Sequence, residues 1–355
     1  MKVIISAGGT GGHIYPAIAI IDKIKLKNKK VDILYIGTTD RMEKDIVPNL
    51  GISYEGIEIK GLSKNPFKLI KAIFLNLKAL KKCKKIIKSF NPDIVIGVGG
   101  YVTVPVLYSA HKLGIKTLLH EQNSIPGKAN KFLSNFVDKI CVSFSSTLSY
   151  FNKGVYTGNP RSEEANNAII FDKSKFGLSF NKKLVFIVMG SLGAQTVNEM
   201  LMNLIPEFNK KSYEIVISTG EKWYSKFNDI VHNDNIKIYP YVDDMLGLMK
   251  VTDVIVSRAG ASTISEITAI GVPSIIIPSP YVANNHQYYN AKDLYDNNGC
   301  VLLEEKNLTG EVLINNIDNL INDSILRKSL KENAKGCALL DSTERIYKEI
   351  ENLLK

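Results

Sequence analysis

Apolar residues along this chain fall into short continuous runs, separated by stretches where they recur every three to four positions. In the first half the runs are KVIIS (2–6), DILYIG (32–37), DIVIGVG (93–99), KTLLH (116–120) and KICVS (139–143). In the second they are LVFIVMG (184–190), YEIVIST (213–219), IKIYP (236–240), DVIVS (253–257) and PSIIIP (273–278). Unbroken runs of this kind predict strands buried on both faces, and the helix-period stretches between them predict crossovers. The fold class is therefore α/β with parallel sheet, in more strands than one small sheet holds. Length alone allows an eightfold barrel. Against it stands residues 157–183, TGNPRSEEANNAIIFDKSKFGLSFNKK, a polar, turn-rich stretch with the composition of an interdomain connection. After it the pattern restarts, and LVFIVMGSLGAQTVNEM (184–200) repeats the strand, glycine turn and helix of KVIISAGGTGGHIYPAI (2–18). Two Rossmann-like domains facing across a cleft are expected, over 1–160 and 161–340. The closing stretch 341–355, helical in period, is expected to pack back on the first.

Composition narrows this without changing it. A chain of 355 residues, 45% hydrophobic and 23% charged, has the size and balance of a two-domain globular protein. Cys83, Cys141, Cys300 and Cys337 form no C-x-x-C pair, which disfavours a zinc site or disulfide framework and suits a reducing cytoplasm. The start, MKVIISAGG, is a strand and glycines rather than a signal peptide. The longest uncharged stretch, 94–110, is interrupted by Gly97, Gly99, Gly100 and Pro105 and falls short of a membrane span.

The net charge of +10 is concentrated. Ten lysines lie between Lys60 and Lys88, and no Asp or Glu occurs between Glu58 and Asp93. In NPFKLIKAIFLNLKALKKCKKIIKSF (65–90), Asn65 suits a helix N-cap and Pro66 the first helical position. Phe67, Ile70, Ile73, Phe74, Leu77 and Leu80 follow helical period with lysines between them. A lysine-rich amphipathic helix carrying aromatics is suited to an anionic bilayer surface. Nucleic acid is disfavoured, because no recognition motif or stacking surface accompanies the charge.

Parallel sheets bind ligands beyond the carboxyl ends of their strands, so the loops there are the candidates. The first half offers GGTGGH (8–13), GVGGYVTVP (97–105) and HEQNSIPG (120–127); the second offers GSLGAQ (190–195) and SRAGASTISE (257–266). None is a P-loop, since no Gly-Lys-Ser/Thr follows, and Ile14 breaks the dinucleotide fingerprint. Ser191 and Ser262 can turn hydroxyls toward a diphosphate held by helix N-termini. No Asp-x-Asp in apolar surroundings suggests a metal, and Asp243-Asp244 suits a helix cap. Glu266, four residues after Ser262 on the same helix face, suits ribose hydroxyls. His13 stands where the first glycine loop meets its helix, and an imidazole there suits a general base. Glu121 either orients that base or serves as one. Asn123 and Gln287 are amides able to reach sugar hydroxyls. His111, His120, His232 and His286 show no ligand spacing.

Taken in order, GGTGGHIYPA, GVGGYVTVP, HEQNSIPG, TGNP, GSLGAQTVN and SRAGASTISEITAIGVPSIIIP closely resemble the family of peptidoglycan N-acetylglucosaminyltransferases that convert lipid I into lipid II. The resemblance covers nearly the whole chain. It implies a GT-B fold, inversion at the sugar, UDP-N-acetylglucosamine as donor, and neither metal nor cofactor. It implies as acceptor the undecaprenyl-diphosphate muramoyl-pentapeptide, reached peripherally at the cytoplasmic face of the bacterial membrane, with cell-wall synthesis proteins as partners. By motif it assigns Thr10, Gly11 and Gly12 to the glycine loop, His13 to the base, and Asn123 and Gln287 to the sugar. Ser191 goes to the diphosphate, Val242 in YVDDM to uracil, Glu266 to ribose and Arg161 to the donor. Arg161 follows GNP directly, where some members have an intervening residue, and His286 stands where glutamine is common. A UDP-sugar epimerase would share the fold but have no use for the lysine helix. A diacylglycerol glycosyltransferase lacks HEQN, and a scaffold without chemistry would not keep His13, Glu121, Ser191 and Glu266.

Overall fold

The computed structural model describes the chain apart from residues 62–64, 191–193 and 231, and apart from the side chains of 66–71 and 228. The chain divides into two units, Met1–Arg161 with Asp341–Lys355, and Ser162–Leu340.

The first unit holds a seven-stranded parallel sheet of β1 (Lys2–Ser6), β2 (Asp32–Thr38), β3 (Ser53–Ile57), β4 (Ile94–Gly97), β5 (Lys116–Glu121), β6 (Lys139–Val142) and β7 (Gly154–Tyr156). Its order is β3-β2-β1-β4-β5-β6-β7. The helices between are α1 (Gly11–Lys27), α2 (Glu43–Asn49), α3 (Pro66–Phe90), α4 (Thr103–Lys112) and α5 (Lys128–Leu133). Successive strand residues point to opposite faces, so Val3 and Ile5 pack with Ile14, Ile21 and Ile24 of α1, while Ile4 packs with Cys83 and Ile87 of α3 and Val106 of α4.

The second unit has a six-stranded parallel sheet of order β10-β9-β8-β11-β12-β13. Its strands are β8 (Leu184–Val188), β9 (Glu214–Ser218), β10 (Ile236–Tyr239), β11 (Val254–Ser257), β12 (Ser274–Ile276) and β13 (Val301–Leu302). Its helices are α6 (Arg161–Asn167, beginning at the boundary), α7 (Gln195–Phe208), α8 (Glu221–Asn228), α9 (Met245–Val251), α10 (Ala261–Ile270), α11 (His286–Asp296), α12 (Gly310–Asn322) and α13 (Ser324–Gly336). The last helix, α14 (Ser342–Leu354), returns to the first unit. There Ile346 and Ile350 are buried in the α1 layer, and Lys23 and Lys27 reach Glu344 at 3.4 and 2.8 Å.

Two features differ from the sequence reading. Most of 157–183 is not a connection: from Ser162 onward it packs on the second unit, with Phe171 edge-on to Phe176, Phe176 tilted against Tyr239, and Ser179 N–H bonded to Glu214. Its polar composition reflects the thin coat it forms there. Helix α3 has two apolar faces, not one. Small Ala72, Ala79 and Cys83, with Ile87, are buried, while Ile73, Phe74 and Leu77 are 46%, 68% and 55% exposed. No helix among the described residues is long and apolar enough to cross a membrane.

Candidate active site

In the first unit β1 lies between β2 and β4, with Ser6 opposite Gly97. The loops after β1 and β4 therefore leave the sheet side by side, where strand order reverses and a crevice forms. Their backbones touch, the Gly8 N–H donating to the Gly99 carbonyl at 3.3 Å. Gly100 has φ +90, and a Cβ there would lie 2.4 Å from the Gly8 oxygen, so only glycine permits this approach. Thr10 is the N-cap residue of α1, and Gly11 and Gly12 open its first turn. His13 follows, half-buried, its ring edge against Gly99. Its Nδ1 lies 3.2 Å from the Gly8 carbonyl oxygen and 3.4 Å from Thr10 Oγ1. A carbonyl only accepts, so Nδ1 carries the proton and the imidazole lone pair sits on Nε2.

The loop after β5 is braced from within. Glu121 is 1% exposed. Its Oε1 accepts from the Asn123 N–H and Nδ2, and its Oε2 from the Gly127 N–H and Asn130 Nδ2, at 2.8 to 3.2 Å. Both carboxylate oxygens are thus committed to holding residues 121–130, which sets Glu121 apart from His13 as a proton acceptor. The Asn123 carbonyl accepts from Thr147 Oγ1, leaving the loop pinned at two points.

His120 is fully buried. Its Nε2 donates to the Gly158 carbonyl at 3.1 Å, and its Nδ1 accepts from Gln122 Nε2 at 2.9 Å, while Gln122 Nε2 also donates to the Val98 carbonyl. Desolvation lowers its pKa to about 4, so it is neutral at physiological pH. This histidine, which showed no ligand spacing, ties HEQN to TGNP and to the glycine loop after β4. Beyond it, Asn159 Oδ1 accepts from the Arg161 N–H, and the Arg161 guanidinium stands 5.5 Å from the ring centre of Tyr15 on α1. Gln122 and Asn130 escaped sequence reading because Gln122 reaches the Val98 carbonyl beyond β4, and Asn130 reaches Glu121 only once α5 folds back on the loop.

The second unit repeats the arrangement. β8 lies between β9 and β11, with Ser257 opposite Val188, so the loops after β8 and β11 emerge together. Ser191 falls outside the described residues. Gly260 is the N-cap residue of α10, and Ser262 Oγ in its first turn is buried without a protein partner among the described residues. Glu266 is buried one turn on, on the same face. Two contacts hold this loop: an Arg258–Glu305 ion pair at 2.7 Å, and Asn290 Nδ2 of α11 donating to the Ala259 carbonyl at 3.1 Å. Neither was legible locally, since the partners lie 47 and 31 residues away. Asp244 caps α9 by accepting from the Gly247 N–H, as the sequence suggested, and half-buried Val242 lies just before it. Gln287 Oε1 accepts from the Ser279 N–H at 2.8 Å, a bond that uses the oxygen of its amide and not the NH2. His286 is turned to its own loop, Nδ1 lying 2.8 Å from the Ala283 carbonyl. Among the described residues no group of three or more His, Cys, Asp or Glu side chains is clustered to hold a metal ion.

The chain as a whole is similar to known proteins. The glycosyltransferase family 28 N-terminal domain matches residues 3–142, and the family 28 C-terminal domain matches 184–347. The UDP-N-acetylglucosamine–N-acetylmuramyl-(pentapeptide) pyrophosphoryl-undecaprenol N-acetylglucosamine transferase of Bacillus cytotoxicus is 43% identical over 363 residues, covering 100% of both chains. Among solved structures, MurG of Acinetobacter baumannii superposes with a TM-score of 0.78 at 28% identity, covering 99% of each chain. A UDP-N-acetylglucosamine 2-epimerase shares the fold alone, at 13% identity and a TM-score of 0.67, covering 99% of this chain and 95% of the other. With its glycine loops, its HEQN brace and full-length identity above 40% to such a transferase, the chain belongs to the MurG family of glycosyltransferase family 28.

Proposed function

We infer that the chain transfers N-acetylglucosamine from UDP-N-acetylglucosamine to lipid I, the lipid-linked muramoyl-pentapeptide, in peptidoglycan synthesis. The observation that carries the mechanism is the 3.2 Å contact of His13 Nδ1 with the Gly8 carbonyl, which implies the Nδ1–H tautomer. With Nδ1–H held by Gly8, Nε2 takes the proton of the muramoyl C4 hydroxyl. The oxygen then forms its bond to the anomeric carbon as the bond from that carbon to the UDP oxygen breaks, inverting the sugar. UDP leaves with the electron pair. Thr10, Gly11 and Gly12 line the acceptor side, and Asn123, presented by Glu121, contacts sugar hydroxyls.

In the donor unit, Ser262 and the N-terminus of α10, together with Ser191, stabilise charge developing on the departing diphosphate. Glu266 accepts from ribose hydroxyls, the backbone at Val242 meets uracil, and Gln287 donates to the sugar. Arg161 supplies a cation toward the donor. The outward face of α3, with exposed Ile73, Phe74 and Leu77 beside lysines, supports peripheral attachment to an anionic membrane, at the cytoplasmic face where lipid I is made.

The test is transfer of labelled N-acetylglucosamine to a lipid I analogue with EDTA present. The wild type transfers, and His13→Ala loses at least about a hundredfold in kcat, the usual range for general-base catalysis. Interconversion of the UDP-sugar in place of transfer would favour epimerase chemistry on the shared fold.

A further inference from the structure

We propose that Glu43 is a positioning residue for His13, acting through the peptide group that joins Gly8 to Gly9. The inference rests on His13 being the base. Glu43 opens α2, after the strand next to β1, and is fully buried. Its Oε2 accepts from the Gly9 N–H at 3.2 Å, while its Oε1 accepts from the Thr38 N–H at 3.0 Å and Thr38 Oγ1 at 2.7 Å. Three donors and a buried carboxyl make it an acceptor throughout, the behaviour of a carboxylate.

The Gly9 N–H and the Gly8 C=O belong to one planar trans peptide, so they point in opposite directions. On one side stands Glu43; on the other, the Gly8 oxygen faces His13 Nδ1 at 3.2 Å. A single rigid group thus connects a buried carboxylate to the imidazole. Its orientation decides which ring nitrogen bears the proton, and a carboxylate on its N–H polarises its carbonyl toward Nδ1–H. Gly9, at φ +94, gives the peptide freedom to turn over, so something must hold it. Glu43 lies close enough to Gly8 that a Cβ there would meet Oε1 at 2.4 Å, so this loop glycine makes room for the carboxylate rather than for a ligand.

Tyr35 and Tyr54 face Glu43, their hydroxyls donating to the Ala7 and Thr38 carbonyls. Asp40 and Asp45 lie within electrostatic range of Tyr54, and His120 within that of His13. In its logic the arrangement is that of a carboxylate orienting a catalytic imidazole, with a peptide group interposed.

The test compares full-length wild type with Glu43→Gln, which keeps the shape but places an N–H against one of the donors. Glu43→Gln should lower kcat at least tenfold while KM for UDP-N-acetylglucosamine stays within twofold. The acid limb of its pH–rate profile should move to lower pH, because the imidazole loses its polarising partner. Nitrogen NMR on histidine-labelled protein, with His13 assigned by His13→Gln, should show protonated Nδ1 in the wild type and a shift toward protonated Nε2 in the variant. Thr38→Val, which removes one of the three bonds and keeps the carboxylate, should give a smaller change in the same direction and serves if Glu43→Gln does not fold. A drop in kcat with unmoved tautomer and acid limb overturns the inference and leaves Glu43 as packing. Retained transfer by His13→Gln would instead overturn the base assignment, while the NMR still reads whether Glu43 sets the ring.

Discussion

His120 shows how a buried side chain can govern stability without touching substrate. Unfolded, its imidazole takes a proton near pH 6.5; folded, only near about 4, because burial disfavours the cation. Between those values the unfolded state binds the extra proton. Its contribution is therefore complete above pH 6.5 and is lost as pH falls toward 4, by up to roughly 3 kcal/mol. Urea unfolding of wild type and His120→Asn across this window should give curves that converge toward acid pH, whereas parallel curves would mean that His120 titrates normally. The cysteines tell a similar story, since burial pushes Cys83, Cys141 and Cys300 up to about 12 and leaves them unreactive.

Among the elements, α3 carries the most exposed prediction. Over its first half the inward face presents small Ala72 and Ala79 and the outward face Ile73, Phe74 and Leu77, the reverse of what a helix needing only to pack on a sheet requires. Phe74→Glu with Leu77→Glu should leave the melting temperature within a degree or two and weaken retention on anionic vesicles by tenfold or more in sedimentation. An unchanged retention would assign the lysines to solvation alone. The outward triplet was readable from helical period, yet the inward stripe was not, because Ala72, Ala79 and Cys83 look unremarkable in sequence. The strands divide in the same way. Runs such as KVIIS and LVFIV announce themselves because both faces are covered, whereas SYEGI, GVY and VL lie at sheet edges, half exposed, and carry no apolar run. At the candidate site, His13 and Glu266 stood out by position after a glycine turn. Glu43 did not, since in DRMEKD it reads as a solvated acid, and its burial depends on Gly9, 34 residues away.

At the scale of the whole molecule, the first unit is discontinuous in sequence. Its last helix follows all of the second unit, yet Ile346 and Ile350 belong to the α1 core. Deleting 341–355 removes two buried isoleucines worth roughly 1.5–3 kcal/mol each. The melt of the deletion variant should show the first unit weakened by several kcal/mol and UDP binding, a property proposed for the second unit, retained. Loss of UDP binding together with the first unit would show that the two fold as one.

The same discontinuity sets an order in time. The helix that carries His13 is made within the first few dozen residues, but the flank that α14 covers stays open until residues 342–354 have been made. A nascent or prematurely terminated chain can complete its second unit while α1 still exposes the isoleucines that α14 is meant to seal. Such a chain presents apolar surface to chaperones and proteases at the very segment that carries the proposed base.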